Sequence, residues 1–392
     1  MNREIYMDNS ASTLIREEAL ESMVDAYRRC FGNSSSVHFF GQAAKRALED
    51  AREEFASLIG AEAEEVVFTS GGTESDNLAI RGAAMAYRGR GNHIITCTTE
   101  HHAVLHTCRD LEREGFEVTY LPVDGEGIVH LDGLREAIRE DTILISIMMA
   151  NNETGALQPV SEIGRIAGER DIIFHSDAVQ AAGKMRLDVR DIGAHLLSFS
   201  GHKFYGPKGV GALYIGEDTT VVPQMHGGHH EWGLRPGTMN VPGIVGMSTA
   251  LRLATAELGE TRSRLAGLRD HLAAGIMERI DGVRRNGGSG NSLPNILNLS
   301  FEGAEGEALL LGLDAKGVAV STGSACTSGA VEPSHVLLAM GVQPRIAQCS
   351  LRFSLGRYNT MEEIDYVLDE LPDIVARIRE VASAGSRTRS QA

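Results

Sequence analysis

Four groups of residues in this chain have types and spacing suited to chemistry. Ser70-Gly71-Gly72-Thr73 opens a helical pattern, and small residues there let backbone N–H groups and the helix dipole meet a phosphate. Asp177 follows an apolar run, a position from which a buried carboxylate can pair with a protonated ring nitrogen. Lys203, in Ser200-Gly201-His202-Lys203, could form a Schiff base with an aldehyde. Cys326 lies in a stretch of small polar residues, 321–329, where a thiolate could attack and then move. Each has a plainer reading alone: a helix cap, a second cap, a solvated loop lysine, a small packed thiol. Lys208 rivals Lys203, but its Gly-Pro-Lys-Gly setting reads as a turn. Phosphate cradle, ring-nitrogen aspartate and Schiff-base lysine together spell pyridoxal phosphate, an electron sink for carbanions at an amino acid's α-carbon.

The elements that must position these groups are legible as a pattern. Strand-length apolar runs occur at 66–68, 94–95, 143–149, 172–174 and 196–199, and most are apolar throughout rather than alternating. That marks parallel strands buried on both faces. Helical stretches fall between them, at 76–87, 103–114 and 163–169. The reading is an α/β fold with a mostly parallel central sheet, in which ligands bind beyond the carboxyl ends of the strands. Every one of those ends delivers polar or ionisable residues: 69–74, 100–102, 150–155, 175–177 and 200–203.

From about Val241 the pattern changes to one long helix, 244–280, then a Gly/Asn/Ser-rich break at 286–291 and shorter strands mixed with helices. The expected division is a large cofactor-binding domain, 16–258, and a smaller α+β domain, 1–15 with 259–383. Pro372 should kink or restart the last helix, and 384–392 should be a frayed polar tail.

Composition narrows the function classes. The 392 residues carry 37 basic and 53 acidic side chains, a net charge of −16, which argues against nucleic acid and anionic membranes as partners. Apolar runs such as 142–149 are too short to span a bilayer, and Met1-Asn2-Arg3-Glu4 leads into no signal-like region, so a cytoplasmic setting is expected. Five cysteines without C-x-x-C spacing support neither a disulfide framework nor a zinc ribbon.

The segments 70–79 (Ser-Gly-Gly-Thr-Glu-Ser-Asp-Asn-Leu-Ala), 151–155, 176–180, 200–203, 323–329 (Gly-Ser-Ala-Cys-Thr-Ser-Gly) and 352–357 resemble the cysteine desulfurases of the NifS/IscS type, over about residues 6–381. The resemblance implies a fold-type I pyridoxal-phosphate transferase, a homodimer, and conversion of L-cysteine to L-alanine with sulfur left as an enzyme persulfide. That sulfur would serve iron–sulfur cluster assembly or another delivery route, through an acceptor or scaffold protein. It also implies roles. Lys203 holds the cofactor, Asp177 pairs with its ring nitrogen, Gln180 contacts its phenolic oxygen, and His101 stacks on the ring and serves in proton transfer. Gly72, Thr73, Ser200 and His202 bind the phosphate, joined by Thr238 from the other subunit. Asn152, which also borders the cofactor, and Arg352 grip the substrate carboxylate. Cys326 is the nucleophile and a transient iron–sulfur ligand, with no resident metal. Cys30, Cys97, Cys108 and Cys349 carry no role.

The chain departs from that family at 226–238. Trp232 stands where arginine is usual and Pro236 where a small residue is usual, while Arg235 is kept. The chain also ends soon after Val381, where some relatives have a longer tail that helps dock an iron–sulfur scaffold. His226, His229, His230 and Glu231 are ligand types, as are His101 and His102, yet close-packed turns are the preferred reading. The alternatives carried forward are another fold-type I reaction (selenocysteine lyase, aminotransferase or C–S lyase) and a partner-dependent sulfur-transfer subunit.

Overall fold

The computed structural model describes residues 4–288, 290–322 and 332–389, the last six as backbone only. Continuous apolar runs become central strands because a strand covered on both faces cannot alternate. A seven-stranded sheet takes the order Val66–Thr69, Gly211–Ile215, Leu196–Ser200, Ile173–Asp177, Thr142–Ser146, His93–Cys97, Glu117–Leu121. All pairings are parallel except the two made by Gly211–Ile215. That strand and the edge strand Glu117–Leu121 escaped the sequence reading; the latter is only half-buried along most of its length. The run expected as strand to Met149 leaves the sheet after Ser146, which frees 148–152 to cross the sheet's carboxyl edge.

Helices cover both faces. The helix Gly72–Tyr87 packs on one with Leu78, Ile80 and Ala83; Phe55 and Ile59 of Phe39–Ile59 and Met247 of Val241–Ala256 lie in the core on the other. A separate core forms around the antiparallel sheet Ser350–Ser354, Ile296–Phe301, Val283–Asn286. Leu268 and Leu272 of Leu258–Arg279 join it, with Leu309 of Gly306–Asp314 and Val367 and Leu371 of Met361–Arg389. A two-stranded parallel pair ties Ile5–Tyr6 to Val318–Ala319.

Two expectations about helices are corrected. The single helix expected over 244–280 is two, Val241–Ala256 and Leu258–Arg279, parted at Glu257, and each feeds a different core. The Glu257 carboxylate accepts two bonds from Arg16, at 2.8 and 2.9 Å, which pins the junction. Pro372 does not restart the last helix, which runs unbroken through Met361–Arg389. Proline removes the N–H that would reach Leu368, and Arg279 Nη1 donates to that freed carbonyl instead, at 2.8 Å. The same helix extends past 384, since propagating a docked helix costs little per residue.

Candidate active site

The carboxyl edge of the large sheet opens on a cavity of about 710 Å³. Gly72, Thr73, His101, Asn152, Asp177, Gln180, Ser200, His202, Lys203 and Arg352 all line it. Parallel strands bring this about by ending on one side, so residues far apart in the chain converge.

At the phosphate end, Gly71 caps the sixteen-residue helix Gly72–Tyr87 with φ 154°, a conformation open to glycine. A Cβ on Gly72 would meet Val179 Cγ2 at 2.6 Å, and one on Gly211 would lie 2.6 Å from Gly71 Cα. The turn is therefore held to bare backbone from both sides. Ser200 is buried beside it and His202 flanks it, its Nδ1 3.2 Å from Ser12 Oγ. Burial works against the charge on Glu74, but Arg235 Nε at 2.9 Å and the Ser70 N–H at 2.7 Å hold it below the usual carboxylate range.

Lys203 Nζ donates to the Ser10 and Ala11 carbonyls at 2.5 and 2.9 Å. Burial, then the nearby Arg352, lowers its pKa to about 8, against the opposing pull of Asp177 and Asp8. Asp177 accepts from the Val179 N–H at 2.8 Å, and burial raises it. Gln180 Nε2 donates to the Ser10 carbonyl at 2.9 Å. His101 caps the helix His102–Arg113, its Nδ1 accepting from the Ala103 N–H at 3.1 Å. The neutral ring then carries its proton on Nε2. Burial and the charge of Lys203 keep that ring below the usual histidine pKa.

Arg352 comes from the smaller sheet. Its Nη1 donates to the Asn152 carbonyl at 3.0 Å and its Nη2 to Asp8 at 2.8 Å, while its Nε is buried with no partner among the described residues. Ser10 Oγ, also on the cavity wall, likewise has no partner among the described residues. These two donors, the bare helix N-terminus, the Lys203 amine and the Asp177 carboxylate on the same cavity wall fit pyridoxal phosphate. The N-terminal residues Asp8 and Ser10–Ser12 were missed as site residues, because no strand pattern announces them. Two buried carboxyls lie close to Asp177. Glu100 is pushed up to about 8 by burial, though Met148 N and Cys97 Sγ donate to its Oε1 at 2.7 and 3.1 Å. Asp76, on the cavity wall, is raised well above the usual carboxylate range by burial and the nearby Asp177.

Two expected residues stand apart. Thr238 is exposed and does not line the cavity. Cys326 lies outside the described residues, although Ser321, just before it in the chain, borders the cavity. Burial raises the thiols of Cys30, Cys97, Cys108 and Cys349.

The divergent segment 226–238 has its own packing. Glu231 turns inward and pairs with buried Arg52 through bonds of 2.6 and 2.9 Å, and also accepts from the Phe68 N–H at 2.7 Å. Trp232, at φ 53°, lies with its ring centroid 4.8 Å from the Arg52 guanidinium. Glu231 thus serves Arg52 rather than the neighbouring histidines. Among the described residues no group of three or more ligand-type side chains is placed to hold a metal.

Residues 5–367 match the profile of the aminotransferase class-V family. The chain is 51% identical over 382 residues to a protein named cysteine desulfurase IscS from Dictyoglomus turgidum, covering 97% of each chain. It is 54% identical over 381 residues to one of the same name from Methanosarcina thermophila, covering 97% of this chain and 94% of that one. Among solved structures, a NifS-like protein superposes with a TM-score of 0.90 at 41% identity, over 95% of this chain and all of that one. A structure described as SspA in complex with cysteine gives 0.79 at 38% identity, over 91% and 100%.

Proposed function

We infer that this chain, which belongs to the aminotransferase class-V family, is a pyridoxal-phosphate-dependent cysteine desulfurase of fold-type I. It converts L-cysteine to L-alanine and passes the sulfur to an enzyme cysteine. The observation that carries this reading is the single cavity holding Lys203, Asp177, Gln180, His101 and Arg352 beside a bare helix N-terminus.

The site assignment follows from what each residue can do. The Gly72 and Thr73 N–H groups, Ser200 and His202 bind the phosphate. Lys203, neutral in part at pH 7, supplies the amine that holds the cofactor aldehyde. Asp177 keeps the ring nitrogen protonated, and a nearby positive charge brings its raised pKa back down. Gln180 donates from Nε2 toward the phenolic oxygen. When bound, the cofactor supplies the electron sink that weakens bonds at the substrate's α- and β-carbons. His101 covers the ring and moves a proton from Nε2. Arg352, whose Nε has no partner among the described residues, takes the substrate carboxylate with Asn152 beside it; Asp8 holds the other edge of the guanidinium. Cys326 as thiolate attacks the substrate sulfur, forming the S–S bond of a persulfide as the carbon–sulfur bond breaks and its electrons return to the organic fragment. Two electrons from an external thiol then release sulfide.

The domain division at 258/259 is retained, supported by the two cores. A homodimer is supported by an apolar ridge facing outward. Leu20, Val24 and Tyr27 recur at helical spacing on Glu17–Arg29, and Phe31 and Phe39 beyond them are 67% and 72% exposed. In that dimer Thr238 reaches the partner's phosphate site. A sulfur-accepting protein and a cytoplasmic setting complete the reading; among the described residues no helix is long and apolar enough to cross a membrane.

The test is alanine and sulfide formed in step from L-cysteine plus a reductant. Cys326→Ala should lose sulfide release and keep the cofactor's visible absorbance. Full activity in that variant removes Cys326 as the nucleophile, and turnover of selenocysteine alone favours a lyase.

A further inference from the structure

Lys184 is a buried lysine that the mechanism above does not use. It sits four residues beyond Gln180, in the turns that follow the strand Ile173–Asp177, and is 8% exposed. Its ammonium donates three bonds, all to neutral oxygens: the Gln180 carbonyl at 3.0 Å, the Gln180 side-chain Oε1 at 3.3 Å and the Lys203 carbonyl at 3.1 Å. No ion pair of Lys184 occurs among the described residues. A buried cation without a counter-charge is costly, so such a group is kept for a purpose. Burial, aided by the charge of Lys203, lowers its pKa to about 7.

The three bonds have a geometric consequence. A carboxamide can face either way, and only its oxygen can accept from an ammonium. Lys184 therefore fixes the amide of Gln180, sending the NH2 edge toward the cavity, where it now meets the Ser10 carbonyl. The same ammonium holds the backbone at the root of Lys203. It thus joins the donor for the cofactor's oxygen to the residue that holds its aldehyde.

We propose that Lys184 is a positioning residue for the cofactor: it orients the Gln180 amide, anchors the Lys203 backbone and, while protonated, adds a positive charge beyond Gln180. This rests on the desulfurase reading and goes beyond it. A nearby cation disfavours the protonated form of the bound cofactor, and its removal favours it.

The experiment loads the full-length chain with pyridoxal phosphate and titrates its visible absorbance against pH. In Lys184→Met the midpoint should rise by about one unit, a tenfold change in proton affinity. Cofactor dissociation should quicken several-fold, while the melting temperature of the cofactor-free variant does not fall, since an unpaired buried charge has gone. Gln180→Ala should raise the midpoint too, and the double variant should shift it by less than the sum. An unchanged midpoint with unchanged cofactor retention in Lys184→Met overturns the proposal, as does full additivity. Should that variant not fold, a crystal structure of the loaded parent decides. Nζ within bonding distance of both Gln180 Oε1 and the Lys203 carbonyl supports the proposal, and separation from either rejects it. A parent chain that acquires no visible absorbance would instead overturn the underlying cofactor reading.

Discussion

Single residues in this cavity are tuned by what surrounds them rather than by their own chemistry. Lys203 is the clearest instance. Its amine captures an aldehyde only when neutral, and its pKa of about 8 in the cofactor-free protein sets how often that occurs. Since a free lysine titrates near 10.4, burial has moved the neutral form into reach of ordinary pH. The sign follows: the neutral fraction rises with pH, from about one-tenth at pH 7 to about nine-tenths at pH 9. The rate of cofactor uptake by the cofactor-free protein should therefore climb about tenfold over that interval and level off above it. A rate flat from pH 7 to 9, measured by stopped-flow absorbance, contradicts this. The contrast with Cys97 and Cys108 is instructive. Burial there raises the thiol, so those sulfurs stay protonated and inert, one of them donating to Glu100.

Elements meet at buried polar joints as well as apolar faces. Arg52 on the helix Phe39–Ile59 holds Glu231, and with it the segment that carries Arg235 and Thr238. Its guanidinium also lies 4.7 Å from the Phe68 ring and donates to the Val66 carbonyl, so one side chain joins a helix, a strand and a loop. Removing one partner of such a pair leaves the other charge buried alone. Arg52→Met should cost about 3–5 kcal/mol in chemical denaturation at fixed protein concentration. Pairing it with Glu231→Gln, which keeps an acceptor for the Phe68 N–H, should recover more than half of that loss. A double variant as unstable as the single one would mean the joint is held by packing instead. Trp232 fits the same joint by covering the Arg52 guanidinium with its indole face.

At the scale of the molecule, the outward ridge of Leu20, Val24, Tyr27, Phe31 and Phe39 needs a cover. The Phe39 and Phe40 rings lie 4.1 Å apart, and Phe31 and Phe40 5.0 Å apart, as one continuous patch. If a second copy covers it, Phe39→Asp should shift the mass in solution, by light scattering, from dimer toward monomer. A dimer that withstands the change at micromolar concentration moves the interface elsewhere. With Thr238 exposed on the same subunit that lacks it in its own cavity, the monomer should also retain pyridoxal phosphate less tightly.

Much of the site could be read from local order in the chain. Gly71-Gly72, Asp177 and Lys203 each follow an apolar run, and a parallel sheet sends all strand ends to one edge, so period and punctuation alone predicted their convergence. Gln180, His101 and Arg352 were named by resemblance and are found on the same cavity. Local order could not supply partners set by long-range packing. Asp8 on Arg352, Ser10 on Lys203 and Gln180, Arg16 on Glu257 and Arg279 on the carbonyl freed by Pro372 join residues 89 to 344 positions apart. Periodicity reports which face of an element is buried, but not what is buried against it. The sequence therefore determined the fold class, the cofactor and the chemistry. The tertiary structure decided the charge states, the orientation of each donor and the lysine behind Gln180, because these depend on distances that only the packed chain creates.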